Sequence, residues 1–196
     1  MEPVATEPRG IEREFRLMSY VTRWQIVQTL RKQNLAEHQY HVAVLALRLV
    51  REMGWEDLDG VDLGHLLEEA LLHDIDELIS SDIPSPVNQK IKSMGGSDWK
   101  EWLQAKTALF FPWYRERPTH NIKQIVRICD ILEAMLFLLE EHGMGNGYVL
   151  PHYRVLEGVM DVTLKSTGLP NLDRIQDWIS RCLDNAVRPA RPLTLL

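Results

Sequence analysis

From Leu71 to Pro86 the chain reads LLHDIDELISSDIPSP, which sets His73 beside Asp74, with Glu77 soon after and Asp82 just beyond. An imidazole next to a carboxylate offers two metal donors of different hardness. The apolar residues around them, Leu63, Leu66, Leu67, Ala70, Leu71, Leu72, Ile75 and Leu78, recur at the three- and four-residue spacing of a helix that is apolar over most of its girth. On one continuous helix over 63–81, His73, Asp74 and Glu77 share a face. Ionisable groups in so apolar a wall are costly unless they are paired or bind a metal. Partners are therefore expected from elsewhere in the chain. Glu37-His38 opens an apolar run (Val42, Val44, Leu45, Leu47, Leu49, Val50), which puts His38 in the first turn of a buried helix. Asp130 interrupts Ile122, Ile125, Val126, Ile128, Cys129, Ile131, Leu132, Met135 and Leu136, a helix with almost no polar side at that level.

A His, then a His-Asp pair, then an Asp, each on a separate helix, resembles the metal signature of the HD-domain phosphohydrolases. The segments Arg23-Trp24, Glu37-His38, His73-Asp74-x-x-Glu77 and Asp82-Ile83-Pro84-Ser85-Pro86-Val87 stand in the order, and close to the spacing, of the bacterial 5′-deoxynucleotidases and the related phage deoxynucleoside triphosphohydrolases. The similarity runs from about residue 15 to 185. The resemblance implies one divalent ion held by His38, His73, Asp74 and Asp130. Two imidazoles with two carboxylates suit manganese, cobalt, iron, zinc or, less comfortably, magnesium. It also implies hydrolysis at the 5′ phosphates of 2′-deoxynucleotides, primarily of a monophosphate to deoxynucleoside and phosphate. Release of triphosphate from a substrate such as dATP is the alternative. Glu77 is then the general acid/base, with Asp76, about 100° further round the helix, as the other choice. Arg23 grips phosphate with its guanidinium fork, Trp24 packs where a 2′-hydroxyl would lie, and Asp82 accepts a hydrogen bond from the 3′-hydroxyl.

The chain departs from the monophosphatase pattern in three places. Gln25 stands where a proline commonly follows Arg-Trp. Asn88 stands where a lysine commonly follows Pro-x-Pro-Val, with Lys90 and Lys92 close by, and the interval from Asp74 to Asp130 is short, nearer the phage dATP-directed enzymes. Ile26 is consistent with an apolar base pocket of that phage type, and Arg127, one turn before Asp130, is placed to hold a further phosphate oxygen. A non-catalytic, nucleotide-sensing HD protein is the rival from another class. Such a protein would have lost a ligand or the acid/base, and all of them are present here.

The elements that must position these residues make an all-α, compact HD-domain helical bundle with the metal site in its core. Helices are expected over 11–20, 36–53, 63–81, 97–110, 121–142, 149–167 and 172–187, with a further one starting near Pro84 to Pro86. Val21 to Leu30 shows an apolar side of helical spacing, and β-branched residues rarely alternate with polar ones, so strands are not expected. Residues 1–10 read as a flexible leader, 11–187 as one phosphohydrolase domain and 188–196 as a C-terminal tail. At 196 residues, 45% hydrophobic and 26% charged, the chain has the make-up of an ordinary globular domain. No apolar run is long enough to span a membrane and no secretion signal opens the chain, so a cytoplasmic protein is expected. A net charge of −6 argues against broad nucleic-acid binding. Cys129 and Cys182 fit neither a zinc knuckle nor a disulfide framework and read as free buried thiols. The aromatic run Phe110, Phe111, Trp113 and Tyr114 exceeds what a connector normally exposes, which suggests a lid or a subunit contact. With the late helices it points to a homo-oligomer.

Overall fold

A computed structural model describes residues 15–94, 96–111, 114 and 118–187. The expected leader 1–10, the tail 188–196 and Trp113 lie outside the described residues. Among the described residues eight α-helices follow one another: α1 Leu35–Met53, α2 Leu63–Leu72, the single turn α3 Glu77–Ser80, α4 Ser85–Ser93, α5 Gly96–Phe110, α6 His120–Gly143, α7 Leu150–Ser166 and α8 Leu172–Ala186. Phe15–Tyr20 and Gly147–Val149 are 3-10 turns, and no strand occurs among the described residues. All-α is therefore the fold class.

Helix α6 is the axle of the bundle. Ile122, Ile125, Ile128, Cys129, Leu132 and Leu138 on it are fully buried, and α1, α2, α7 and α8 pack around it. Local chemistry fixes where the helices begin and end. Asn34 caps α1 by accepting a hydrogen bond from the Glu37 N–H at 2.9 Å. Gly54, in the left-handed region at φ 68°, ends the same helix. Asp62 and Thr119 cap α2 and α6 in the same way through the N–H groups of His65 and Ile122. None of the described helices is long and apolar enough to cross a membrane.

Three expectations are corrected. The helix over 63–81 is broken: α2 stops at Leu72, and His73–Asp76 form tight turns whose bonds run three residues back, Ile75 N–H to Leu72 O at 2.9 Å and Glu77 N–H to Asp74 O at 3.0 Å. The apolar periodicity continued through a change of backbone that it cannot register. Val21 to Leu30 is a loop, because tertiary partners claim its backbone. Thr22 pairs with Asn34 in an isolated antiparallel bridge, and the Leu30 and Arg31 N–H groups donate to the two oxygens of buried Glu141 at 2.5 and 2.8 Å. Finally, Phe111 is 2% exposed, packed with Met18, Leu35 and Ile75, while the Tyr114 hydroxyl donates to Glu69 at 2.7 Å. Phe111 is core, and Tyr114 is half-buried against it with its hydroxyl engaged.

Candidate metal centre

The breaks and caps converge His38 from α1, His73 and Asp74 from the end of α2, and Asp130 from α6. One donor atom from each lies within 4.8 Å of the others. His38 Nε2 stands 3.4 Å from Asp130 Oδ1 and 3.7 Å from Asp74 Oδ2, and His73 Nε2 stands 3.3 Å from Asp74 Oδ2. Both Nε2 atoms are buried and have no hydrogen-bond partner. Two donors each about 2.1 Å from a shared ion sit roughly 3.0–3.4 Å apart at octahedral or tetrahedral angles, so these separations fit a common cation. Two buried imidazole nitrogens without hydrogen-bond partners among the described residues thus face two carboxylates, a donor set that could hold a metal ion.

The outer shell supports the same assignment. The His73 Nδ1 side faces the Ala70 carbonyl at 3.0 Å, and the His38 Nδ1 side faces Glu133 Oε2 at 2.5 Å. A ring whose Nδ1–H is held by a carboxylate or carbonyl presents its Nε2 lone pair to a metal. Glu133, 3% exposed, was not among the residues singled out in the sequence. The signal was available, since it lies one turn after Asp130 in the same apolar stretch. Its other oxygen takes a 2.6 Å bond from Gln33 Nε2 and faces His41 Nδ1 at 3.3 Å, so His41 stands beside the same carboxylate.

Around the cluster stand the remaining predicted residues. Arg23 NH1 contacts Asp74 Oδ2 at 3.2 Å, while Arg23 Nε is buried with no partner. Glu77 Oε2 is likewise buried and unpartnered. Asp82 Oδ2 accepts the Trp24 backbone N–H at 3.0 Å. Asp82 therefore anchors the Arg23-Trp24 loop rather than capping α4, whose N-cap is Pro84. Trp24 has φ 63°, a strained setting for a bulky residue, held there by that bond, by a 2.9 Å bond from its indole Nε1–H to Gln33 Oε1, and by stacking on Phe137 at 5.5 Å. Arg127 NH1 bonds Asp130 Oδ2 at 2.8 Å, with half its side chain in solvent. Lys90 is exposed on α4 and Ile26 is 66% exposed in the loop; neither is drawn into the cluster.

Residues 13–174 match the 5′-deoxynucleotidase YfbR-like family. The chain belongs to that family. A dATP triphosphohydrolase of Salmonella phage PMBT28 is 36% identical over 68% of each chain. A 5′-deoxynucleotidase of Shewanella oneidensis is 29% identical over 66% of this chain and 72% of that one. Among solved structures, the HD phosphohydrolase of cyanophage S-2L, bound to dA and one catalytic Zn2+ ion, aligns with a TM-score of 0.67 at 23% identity, covering 88% of this chain and 95% of that one. The last likeness speaks for the fold.

The charges of this YfbR-like centre bear on metal loading. Burial alone would keep the His73 ring neutral, but the negative charges of Asp74 and Asp130 outweigh it and raise its pKa to about 9. The metal-free ring is therefore protonated at neutral pH and must lose that proton before Nε2 can ligate. Metal affinity should rise about tenfold between pH 7 and 8 and level off as pH passes the His73 value, with about one proton released per ion bound. Calorimetric titration in buffers of different ionisation heat reads both quantities; an affinity flat across that interval would contradict His73 as a ligand.

Proposed function

We propose that this chain is a metal-dependent phosphohydrolase that cleaves the bond between the α-phosphorus and the 5′ oxygen of 2′-deoxynucleotides, primarily turning a deoxynucleoside monophosphate into deoxynucleoside and phosphate. The observation that carries the reading is the pair of unpartnered imidazole nitrogens facing Asp74 and Asp130, with buried Arg23 and Glu77 alongside. The reading assigns the ligand set to His38, His73, Asp74 and Asp130. A divalent ion there, manganese, cobalt, iron, zinc or magnesium, supplies Lewis acidity that polarises a phosphoryl group and acidifies water.

The chain's own groups do the rest. Arg23, already turned toward the cluster, gives its unpartnered Nε–H to a phosphate oxygen and offsets its charge. Burial, and next the negative charge of Asp74, push Glu77 up to about 8 against the pull of Arg23. In the metal-free chain a carboxyl so placed keeps its proton at neutral pH, and in its protonated form it can serve the departing 5′ oxygen as the acid. Asp82 keeps Oδ1 for the 3′-hydroxyl, since Oδ2 is spent on Trp24. The Trp24 ring, fixed by Phe137 and Gln33, walls off the space beside C2′. An added 2′-hydroxyl would lose its hydrogen bonds to water there and find no partner.

Release of triphosphate from dATP is a second form of the same reaction, because it breaks the same bond between phosphorus and the 5′ oxygen. Arg127 favours it: its half-exposed guanidinium, tied to Asp130, stands where a longer phosphate chain leaving the cluster needs positive charge. Lys90, exposed on α4 and apart from the cluster, is proposed as a second cation for that chain. Separating the products of dAMP and dATP, with AMP and ATP as controls, tests the proposal. Deoxynucleoside with phosphate marks the primary form, deoxynucleoside with triphosphate the second, and no turnover by metal-loaded protein would favour a nucleotide-sensing role. Trp24→Ala should lower the dAMP to AMP ratio of kcat/KM by about 10–100-fold, the scale of discrimination expected from one steric and polar contact; an unchanged ratio would remove Trp24 from the sugar site. We further propose that the protein works in the cytoplasm as a homo-oligomer, which sedimentation of the purified protein would test.

A further inference from the structure

Gln33 is 1% exposed and spends both ends of its amide. Its Oε1 accepts the Trp24 indole N–H at 2.9 Å, and its Nε2 donates to Glu133 Oε1 at 2.6 Å. The orientation of the amide is fixed by the indole, which can only donate and so must meet Oε1, leaving Nε2 for Glu133. Glu133 Oε2 in turn holds His38 Nδ1. One continuous run of hydrogen bonds thus leads from the Trp24 ring, through Gln33 and Glu133, to the imidazole whose Nε2 faces Asp74 and Asp130.

We propose that Gln33 is a positioning residue that ties the sugar-facing tryptophan to the metal ligand His38, so that deoxyribose discrimination and metal affinity are set together. The sugar half of this statement rests on the function proposed above; the metal half does not. Three features support the link. The Gln33 backbone carbonyl also accepts the Arg23 N–H at 3.0 Å, so the same residue holds the loop that carries Arg23 and Trp24. Among the described residues the Trp24 N–H groups bond to Asp82 and Gln33, so the ring's own link toward His38 runs through Gln33. The positive φ of Trp24 means the ring is held in place against a local backbone preference, and loss of a tether should be felt.

The test compares Co2+ affinity, by chelator competition and by the d–d absorption of the bound ion, in wild type, Gln33→Leu, Trp24→Phe and the double variant. Gln33→Leu keeps a side chain of similar bulk but removes both the Nε2 donor to Glu133 Oε1 and the acceptor for the Trp24 indole. It should weaken Co2+ binding roughly tenfold, the low end of what outer-shell changes cost, and should alter the absorption bands. Trp24→Phe keeps the ring wall and the stacking but removes the N–H. It should weaken Co2+ binding in the wild-type background and have no effect when Gln33 is already Leu. The dAMP to AMP ratio should fall in both single variants. Co2+ affinity unmoved by Trp24→Phe in the wild-type background would overturn the bridge, and that comparison needs only the conservative variant to fold; affinity lowered equally in both backgrounds would overturn it as well. Wild-type protein that shows no preference for dAMP would instead undo the sugar assignment, leaving the cobalt comparison to judge the bridge by itself.

Discussion

Asp130→Ala is expected to lose bound metal and hydrolysis together while the bundle stays folded. The aspartate sits on the most buried helix, and its Oδ1 is the carboxylate oxygen nearest His38 Nε2 at 3.4 Å. Alanine is the best helix former, so α6 keeps its backbone. What is removed is a carboxylate that burial would push up but that the charges of His38, His73 and Arg23 hold well below the usual range. Affinity should fall by more than about a hundredfold, beyond the 10–100-fold that outer-shell changes cost. Hydrolysis should fall to background at metal concentrations that saturate wild type. Thermal melting separates this outcome from simple unfolding. Wild type should gain melting temperature on adding Mn2+, because the ion binds the native state alone. Asp130→Ala should melt near the metal-free wild type and not respond. A variant that keeps full activity, or a full complement of ion, would show that Asp130 is not a ligand.

That prediction draws on the part of the centre most legible in the sequence. His38 and Asp130 stand out because a charged or titratable side chain interrupts an apolar repeat, and burial costs make such interruptions meaningful. Glu133 obeys the same rule one turn later in the same apolar stretch, and the 2.5 Å approach of His38 shows what it holds. The Arg23-Trp24 loop was hidden for a different reason. Its apolar spacing is helical, but its shape is imposed by Glu141 and Asn146 from the far end of α6: Asn146 donates to the Gln28 carbonyl at 2.8 Å, and Glu141 takes the N–H groups of Leu30 and Arg31. Contacts made across more than a hundred residues leave no periodic trace. The break after Leu72 was concealed in the opposite way, because Ile75 and Leu78 still bury themselves with Met18 and Phe111 and so continue the apolar pattern through the turn. The helical bundle and the four side chains that cluster, His38, His73, Asp74 and Asp130, are thus readable from local chemistry, while the conformation of the Arg23-Trp24 loop is not.

Glu77→Gln is the second large effect, and it separates proton transfer from metal binding. The turn His73–Asp76, which breaks the expected helix, delivers Glu77 to the first position of α3 with Oε2 buried and unpartnered. Glutamine preserves size and polarity but has no carboxyl proton to give. Loss of a positioned general acid or base costs about 10²–10⁴-fold in rate. The fall should appear in kcat, with metal content unchanged and KM moved little, because Glu77 lies outside the ligand set. The pH profile carries the sign. Burial and the neighbouring Asp74 raise the folded-state pKa above the usual glutamate value, so the protonated, proton-donating form persists below about 8 and is lost as pH rises through it. A bound dication shifts that limb downward. In wild type kcat should decline on the alkaline side, and in Glu77→Gln that limb should vanish along with most of the rate. Asp76 is the control. Burial and Asp74 raise its pKa as well, yet it stands before the first turn of α3, at the N-cap position. Asp76→Asn should leave kcat within a few-fold of wild type, whereas a collapse in that variant with full activity in Glu77→Gln would move the proton-transfer role one residue back.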